Sequence, residues 1–441
     1  MELRRYTPRT ASSSGTFLSR LDGGTSRGIE EVWDSVAYGS SAAVALVILS
    51  TSDGALDLLW ARVAVVAYGI GALAAWVLQR RGVGIRGRVI LAAAVFAAVA
   101  VVPTILHADA RTESATLPVK SDVLVVEQAA GSLLDGRDPY AVVHDDGALA
   151  TWPTWAQEHF PYLAAVLAVG VPRAVAGTSP WTDPRLVYLA LALVIAVSSI
   201  LRSGLPAESR FRAFLVLFVL VTGAPLVFTS GKEILLLGLL LASLIALHRG
   251  HAFVSGVTMG AAAAMHQLAW VMLPILALTP RGTPPGRRAA TMAASIAIAA
   301  VTPFLMWDAG AFIEDAVLYP LGFGQPASAS TLTPGGIVSS VMPGSRWVLI
   351  LLTVLALAAG VAVAIRRSVR TASDVARWAG VLLLIALVLA PRARLAYFAL
   401  PANLLLWSRL LRTRGEVVGT DRPHTRVGIR SETTITSEAA P

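Results

Sequence analysis

Apolar stretches close to the ~20 residues needed to cross a bilayer core recur along most of this chain. They lie near 35–50, 56–78, 88–107, 160–176, 186–201, 212–229, 233–248, 252–278, 289–307, 347–365, 375–390 and 395–411. A chain of this pattern folds as membrane-spanning helices, whose backbone polar groups pair within each segment. Composition closes the soluble alternative. Only 14% of the residues are charged and 55% are hydrophobic, whereas a soluble domain carries roughly 25% charged residues. The expected fold is all-α and polytopic, with 11–13 transmembrane helices.

The formal net charge of +9 is no nucleic-acid signal. The basic residues sit in short loops and in the tail, where they orient the chain by the positive-inside rule. Cysteine is absent, which excludes disulfides, a thiolate nucleophile and cysteine-based metal sites. Histidines are scattered, and no His/Asp/Glu cluster has metal-ligand spacing. The first 30 residues show no signal-peptide core, so insertion is expected to use the first membrane helix. No internal repeat is evident.

Basic residues set the topology. Residues 1–34 read as a disordered cytosolic tail, and 412–441 as another. Between them, 35–411 form the transmembrane domain, with 35–78 as two helices preceding the rest. Arg80, Arg81, Arg86 and Arg88 mark a cytosolic loop, so the third span exits outward into a long loop over 108–159. That loop is rich in acids, and Val123, Val126, Ala130 and Leu133 recur in it at helical spacing. The spacing predicts a short amphipathic helix, on the membrane surface or on the protein, closed by Gly136 and Pro139. A second outside loop covers 308–346, with Asp308, Glu314 and Asp315. If Arg202–Arg212 and His248–His251 are both cytosolic, 252–278 must enter and return, with a break near His266-Gln267; 160–184 needs a similar irregularity. Broken helices are tolerated where they line a cavity.

Few ionisable residues interrupt the apolar runs, and burying charge at the bilayer centre costs about 2.5–3.5 kcal/mol on insertion scales. Lys232 and Glu233 open one run, His266 and Gln267 sit within another, and Arg392 and Arg394 lie between the last two spans with Tyr397. Lys232, Arg392 and Arg394 fall on the outside face. Cations there suit an anionic lipid phosphate, Arg as a bidentate fork and Lys as a point charge. Plainer roles compete: an interfacial ion pair at Lys232-Glu233, snorkelling arginines, a packing His266, and Asp122 as a helix N-cap. Asp145-Asp146 reads as a solvated turn.

The order of elements resembles a known superfamily. An outside loop with an early acid, Asp122, leads to Ala-Gly-x-Leu-Leu-x-Gly-x-Asp-Pro-Tyr ending at Tyr140. Phe160-Pro161-Tyr162 opens the next span, Ser230-Gly231-Lys232-Glu233 heads a later one, and Gly256-Val-x-Met-Gly260 leads to a polar residue and Leu273-Pro274. This resembles the GT-C glycosyltransferases that use polyprenyl-phosphate sugars, above all the actinobacterial α-mannosyltransferase and arabinofuranosyltransferase group, over about 88–411. The chain departs from many relatives at Lys232-Glu233, where Gly-Gln-x-Asn is common, and at His266-Gln267, where Lys is frequent.

The resemblance implies a multi-pass plasma-membrane enzyme acting at the outer face. It would move a hexose or pentose, mannose first, from a polyprenyl-phosphate lipid donor to a glycolipid or polysaccharide hydroxyl. The leaving phosphate departs as a stable anion and needs cations rather than a general acid. One carboxylate takes the acceptor's proton, and single displacement inverts the anomeric centre. Asp122 is the expected base and Asp109 its alternative. Lys232, Glu233, His266, Gln267, Arg392, Arg394, Tyr397 and Tyr140 are the expected substrate contacts. No metal, other cofactor or nucleic acid is implied; the remaining partners are membrane lipids. The other class open at this point is a lipid-linked saccharide flippase, or a non-catalytic scaffold.

Overall fold

The computed structural model describes residues 16–114, 117–278, 285–323, 333–367 and 369–412, with side chains from residue 32 onward. Of the tails read at 1–34 and 412–441, residues 1–15 and 413–441 lie outside the described residues, and 16–34, expected to be disordered, belong to a helix. No strand occurs among the described residues, and eight helices are long and apolar enough to cross a membrane. Shorter apolar helices accompany them. The all-α polytopic expectation holds.

The first helix, α1 (Thr16–Thr51), becomes apolar from Val32. It pairs through a tight turn with α2 (Ala55–Arg80), and α3 (Ile85–Glu113) follows. Ion pairs fix which ends lie together. Arg88 at the start of α3 binds Asp34 of α1 at 2.6 Å and Glu208 at 2.7 Å. At the opposite end of the bundle, Lys120 binds Asp57, at the start of α2, at 2.9 Å. The long loop therefore emerges at the Lys120 end.

Within that loop α4 (Ser121–Leu134) forms where the valine and alanine spacing predicts it. It stops in a C-terminal turn made by Gly136, whose φ of +72° suits glycine, with the Arg137 amide donating to the Ser132 carbonyl at 2.9 Å. α4 is an internal element, buried from Ser121 to Val126. It packs on α5 (Leu167–Ala176), where Gly170 permits contact: a Cβ there would lie 2.4 Å from the Val126 carbonyl oxygen. The stretch after residue 160 thus turns back at the Lys120 end rather than crossing, the irregularity the arginine pattern requires.

α6 (Pro184–Leu201) and α7 (Ala207–Thr229) then cross, α7 broken by a π turn at Leu215–Val219. α8 (Lys232–His248) is buried from Lys232 through Ala246. Its side chains are apolar all round, the pattern of a helix at the centre of a bundle. α9 (Ala252–Met265) runs parallel to α11 (Pro285–Trp307): Gly256 faces Ala289 and Met292, and Gly260 faces Ile296. Since both run the same way, the chain between them must return. It does so after His266, whose extended backbone (φ −150°, ψ 132°) ends α9 before α10 (Met272–Ala277). The break expected at His266-Gln267 is present.

A second segment at the Lys120 end follows α11 and contains a π turn, Glu314–Leu318. α12 (Pro334–Val341) and α13 (Arg346–Arg366) come next; α13 presents mostly outward-facing apolar side chains, fit for lipid. α14 (Ala372–Leu389), the connection over 390–398 and α15 (Ala399–Leu410) complete the fold. The Ser373 hydroxyl on the Ser408 carbonyl, 2.5 Å away, closes the far end. The 390–398 connection therefore lies beside the long loop.

Candidate active site

α4, α8 and the 390–398 connection converge at the Lys120 end. Asp122 is in the first turn of α4. It does not cap the helix; Lys120 occupies that position without a side-chain bond. Instead its carboxylate turns to α8, where Lys232 Nζ lies 2.6 Å from Oδ2, and to Arg394, whose Nη1 bonds both carboxylate oxygens. Lys232 also binds Glu233 at 2.7 Å, and the Ser230 hydroxyl donates to Glu233. Gly231 makes this possible. Its φ is +78°, and a Cβ would come 2.9 Å from the Arg185 Cα and from the Tyr188 ring. The turn thereby places Lys232 and Glu233 at the head of α8 against α6.

The cluster is buried. Asp122 is 7% and Lys232 2% exposed, while the Arg394 side chain is 39% exposed and meets the outside. Burial alone would push the Asp122 carboxyl up, but Arg394 and Lys232 outweigh it and hold the group well below the usual carboxylate range. Lys232 also sits 4.8 Å from the centroid of the Tyr162 ring. Of these groups Asp122 and Arg394 border a small, half-open hollow, lined also by Trp155, His159, Tyr162 and Tyr319.

His159, which also lines the hollow, holds a second carboxylate. His159 Nδ1 lies 2.6 Å from Asp315 Oδ1, and the Phe160 amide donates to Asp315 Oδ2 at 2.7 Å. Burial raises the Asp315 carboxyl, although the His159 and Phe160 bonds oppose the rise. Asp315 reaches His159 from the π turn at Glu314–Leu318, whose extra residue redirects the helix. The His159 ring stacks on Tyr319 at 4.1 Å between centroids, and Arg392 lies 5.5 Å from the Tyr319 ring centroid.

The residues singled out in the sequence divide. Asp122, Lys232, Glu233 and Arg394 form one charged cluster. His266 is next to them, edge-on to Tyr397 with ring centroids 5.3 Å apart. Its Nδ1 accepts the Leu268 amide, and Nε2 is buried with no hydrogen-bond partner among the described residues. Gln267 donates to the Ala316 carbonyl at 2.7 Å and so ties the helix break to the π turn. Arg392 lies behind Tyr319. Tyr140 makes its contacts elsewhere: it packs among Phe160, Phe304 and Phe312 and donates to the Tyr162 carbonyl at 2.9 Å. Asp109 is exposed and does not line the hollow. Among the described residues no group of His, Asp and Glu could hold a metal ion.

Sequence reasoning missed His159, although it immediately precedes the Phe160-Pro161-Tyr162 element. It missed also the buried network that steadies α4. Arg111 binds Glu127 at 3.1 Å and Asp183 at 2.6 Å; Arg173 binds Glu127 at 3.3 Å; Arg185 binds Asp183 at 2.9 Å. Burial would raise the Asp183 carboxyl, but Arg185 and Arg111 hold it far below its usual value.

Residues 180–391, just under half of the chain, match the model of glycosyltransferase family 87. No curated protein and no solved structure matches. With the apolar helices, the family match indicates a membrane glycosyltransferase and supports an enzyme that transfers glycosyl groups. The match takes in Lys232, Glu233, His266 and Asp315 and ends just short of Arg394.

Proposed function

We propose that this protein transfers a sugar, mannose first among the candidates, from a polyprenyl-phosphate carrier to a hydroxyl of a lipid-linked or cell-envelope glycan at the outer face of the plasma membrane. The observation that carries the reading is Asp122 between Lys232 and Arg394, on the wall of a hollow at one end of a membrane bundle. A glycosyl phosphate needs cations for its leaving group and one base for the incoming hydroxyl. Both are present, and no nucleotide-binding fold is required.

The resting geometry explains how the parts cooperate. Asp122 accepts from both cations, and a carboxylate so held is a weak base. Arg394 is the more exposed cation and meets the donor phosphate first. The phosphate competes with Asp122 for Arg394 and Lys232 and brings a negative charge beside it. Loss of its partners and a like charge nearby both raise the carboxylate's basicity. Asp122 then takes the acceptor proton as the acceptor oxygen bonds to the anomeric carbon. The sugar–phosphate bond breaks with its electron pair on the phosphate, which the two cations hold. Glu233 stays on Lys232 and limits how far it moves. His266 Nε2, a buried donor without a partner among the described residues, is placed for an oxygen of the donor.

The test is transfer by the purified protein in liposomes. Polyprenyl-phosphate mannose and a glycolipid acceptor should give a mannosylated product of inverted anomeric configuration. Nucleotide-activated mannose should give none. Transfer from the nucleotide sugar, or retention of configuration, would contradict the reading.

A further inference from the structure

Arg346 and Arg392 meet across Gly322 at the Lys120 end of the bundle, and sugar transfer by Asp122, Lys232 and Arg394 uses neither. We propose that these two arginines form a second phosphate site, which takes the headgroup of an anionic phospholipid from the surrounding bilayer. The site is separate from the donor phosphate's contacts and does not depend on the transferase reading.

The segment after α11 ends in a turn that brings the two arginines together. The Gly322 amide donates to the Tyr319 carbonyl at 3.0 Å and the Phe323 amide to the Leu318 carbonyl at 3.0 Å. The φ of +93° at Gly322 suits glycine. Arg346, at the head of α13, donates from Nη1 to the Gly322 carbonyl at 2.9 Å. Arg392 lays its stem along the same glycine, with Nε 3.6 Å from the position a Cβ would take there. Its Nη1 is 3.5 Å from the Tyr319 carbonyl oxygen. Neither guanidinium pairs with a carboxylate among the described residues, and the sequence from 324 to 332 contains no acid. The carbonyls at a helix end carry roughly half an elementary charge, so most of two full positive charges stays uncompensated. Each guanidinium has five N–H donors and spends one on a carbonyl. Cations at this end also run against the positive-inside rule, which accounts for the arginines at the other.

The surroundings are those of a bilayer surface. α13 turns its apolar side chains outward, Val348, Leu351 and Leu352 among them. Its first turn therefore stands where hydrocarbon gives way to headgroups. Trp347 is 67% exposed there, with its ring centroid 4.3 Å from that of Phe323, and tryptophan favours that depth. A lipid phosphate at the same depth meets two planar forks of donors while its acyl chains lie along α13. A soluble phosphate shares the first interaction and lacks the second.

The experiment uses the full-length protein in phosphatidylcholine vesicles containing a minor share of phosphatidylglycerol, with one lipid or the other brominated on its chains. Quenching that belongs to Trp347 is read as the difference from Trp347→Phe. Phosphatidylglycerol should occupy the site about 10-fold more often than its share of the bilayer, the effect of one charge-assisted hydrogen bond. The double variant Arg346→Gln, Arg392→Gln should lose that preference. Arg346→Lys with Arg392→Lys should keep part of it, because the charges remain and the forks do not. Arg137→Gln removes a cation at the same end that is paired with Asp135, and should leave the preference unchanged. Millimolar inorganic phosphate should not displace the lipid. An equal preference in the wild type and the double glutamine variant, or none in the wild type, would overturn the proposal. Displacement by inorganic phosphate would overturn the lipid assignment and make this a site for a soluble anion. Sugar transfer is no part of the readout, so a failure here and a failure of the transferase reading are told apart.

Discussion

At the residue scale the central object is one carboxylate shared by two cations. Its ion pairs make a pH prediction whose sign is fixed. The folded-state value of Asp122 is depressed by Arg394 and Lys232 against the opposing effect of burial. Its stabilising contribution is therefore fully present above the unfolded value, near ~3.9, and is lost as pH falls through the lower folded value. Thermal unfolding of the solubilised wild type and of Asp122→Asn should differ by a constant amount from neutral pH down to about pH 4. The gap should close only below that; a gap that closes between neutral pH and that point would show that the pairs do not hold in solution. Arg394 gives a second expectation. Arg394→Gln should raise the donor KM by about 10-fold or more, the effect of losing a charge-assisted hydrogen bond, and Arg394→Lys should recover only part of it because the bidentate fork is gone. Equal donor KM in all three proteins would remove Arg394 from the phosphate subsite.

At the element scale, α4 carries Asp122, and two devices keep it in place. One is close packing at Gly170; the other is Glu127 between Arg111 and Arg173. Gly170→Ala should destabilise the protein by about 1–3 kcal/mol, as overpacking does, and lower turnover by displacing α4. Gly131→Ala, on α4 with open space around it, should leave stability unchanged or raise it slightly. Equal melting temperatures for the two variants would contradict the packing account. Glu127→Gln should cost about 3–5 kcal/mol, because it leaves buried arginines short of a carboxylate. The sequence already announced α4, through the Val123–Val126–Ala130 spacing, and the break at His266, through conflicting arginine positions. Those signals lie within one segment. The network around Glu127 and the His159–Asp315 pair join positions far apart in sequence. His159 and Asp315 stand 156 residues apart, and no local period encodes such a meeting.

At the scale of the whole molecule, ion pairs define two ends, Arg88–Asp34–Glu208 at one and Lys120–Asp57 at the other. The hollow belongs to the second. The arginine-rich loops predict that this end faces outward. The chain contains no cysteine, so single cysteines can report sidedness without background. Asp109→Cys should react with a membrane-impermeant thiol reagent added to intact cells, and Arg81→Cys should react only after lysis. The reverse pattern would put the hollow on the cytosolic side and refute the outer-face reading. The central claim is that Asp122 takes the acceptor's proton in sugar transfer. Its most direct test is single-turnover transfer from polyprenyl-phosphate mannose by the wild type and by Asp122→Asn, with donor binding measured on the same samples. The expected result is donor binding retained and a chemical step slowed by about 10²–10⁴-fold; an unchanged chemical step in Asp122→Asn would contradict the account.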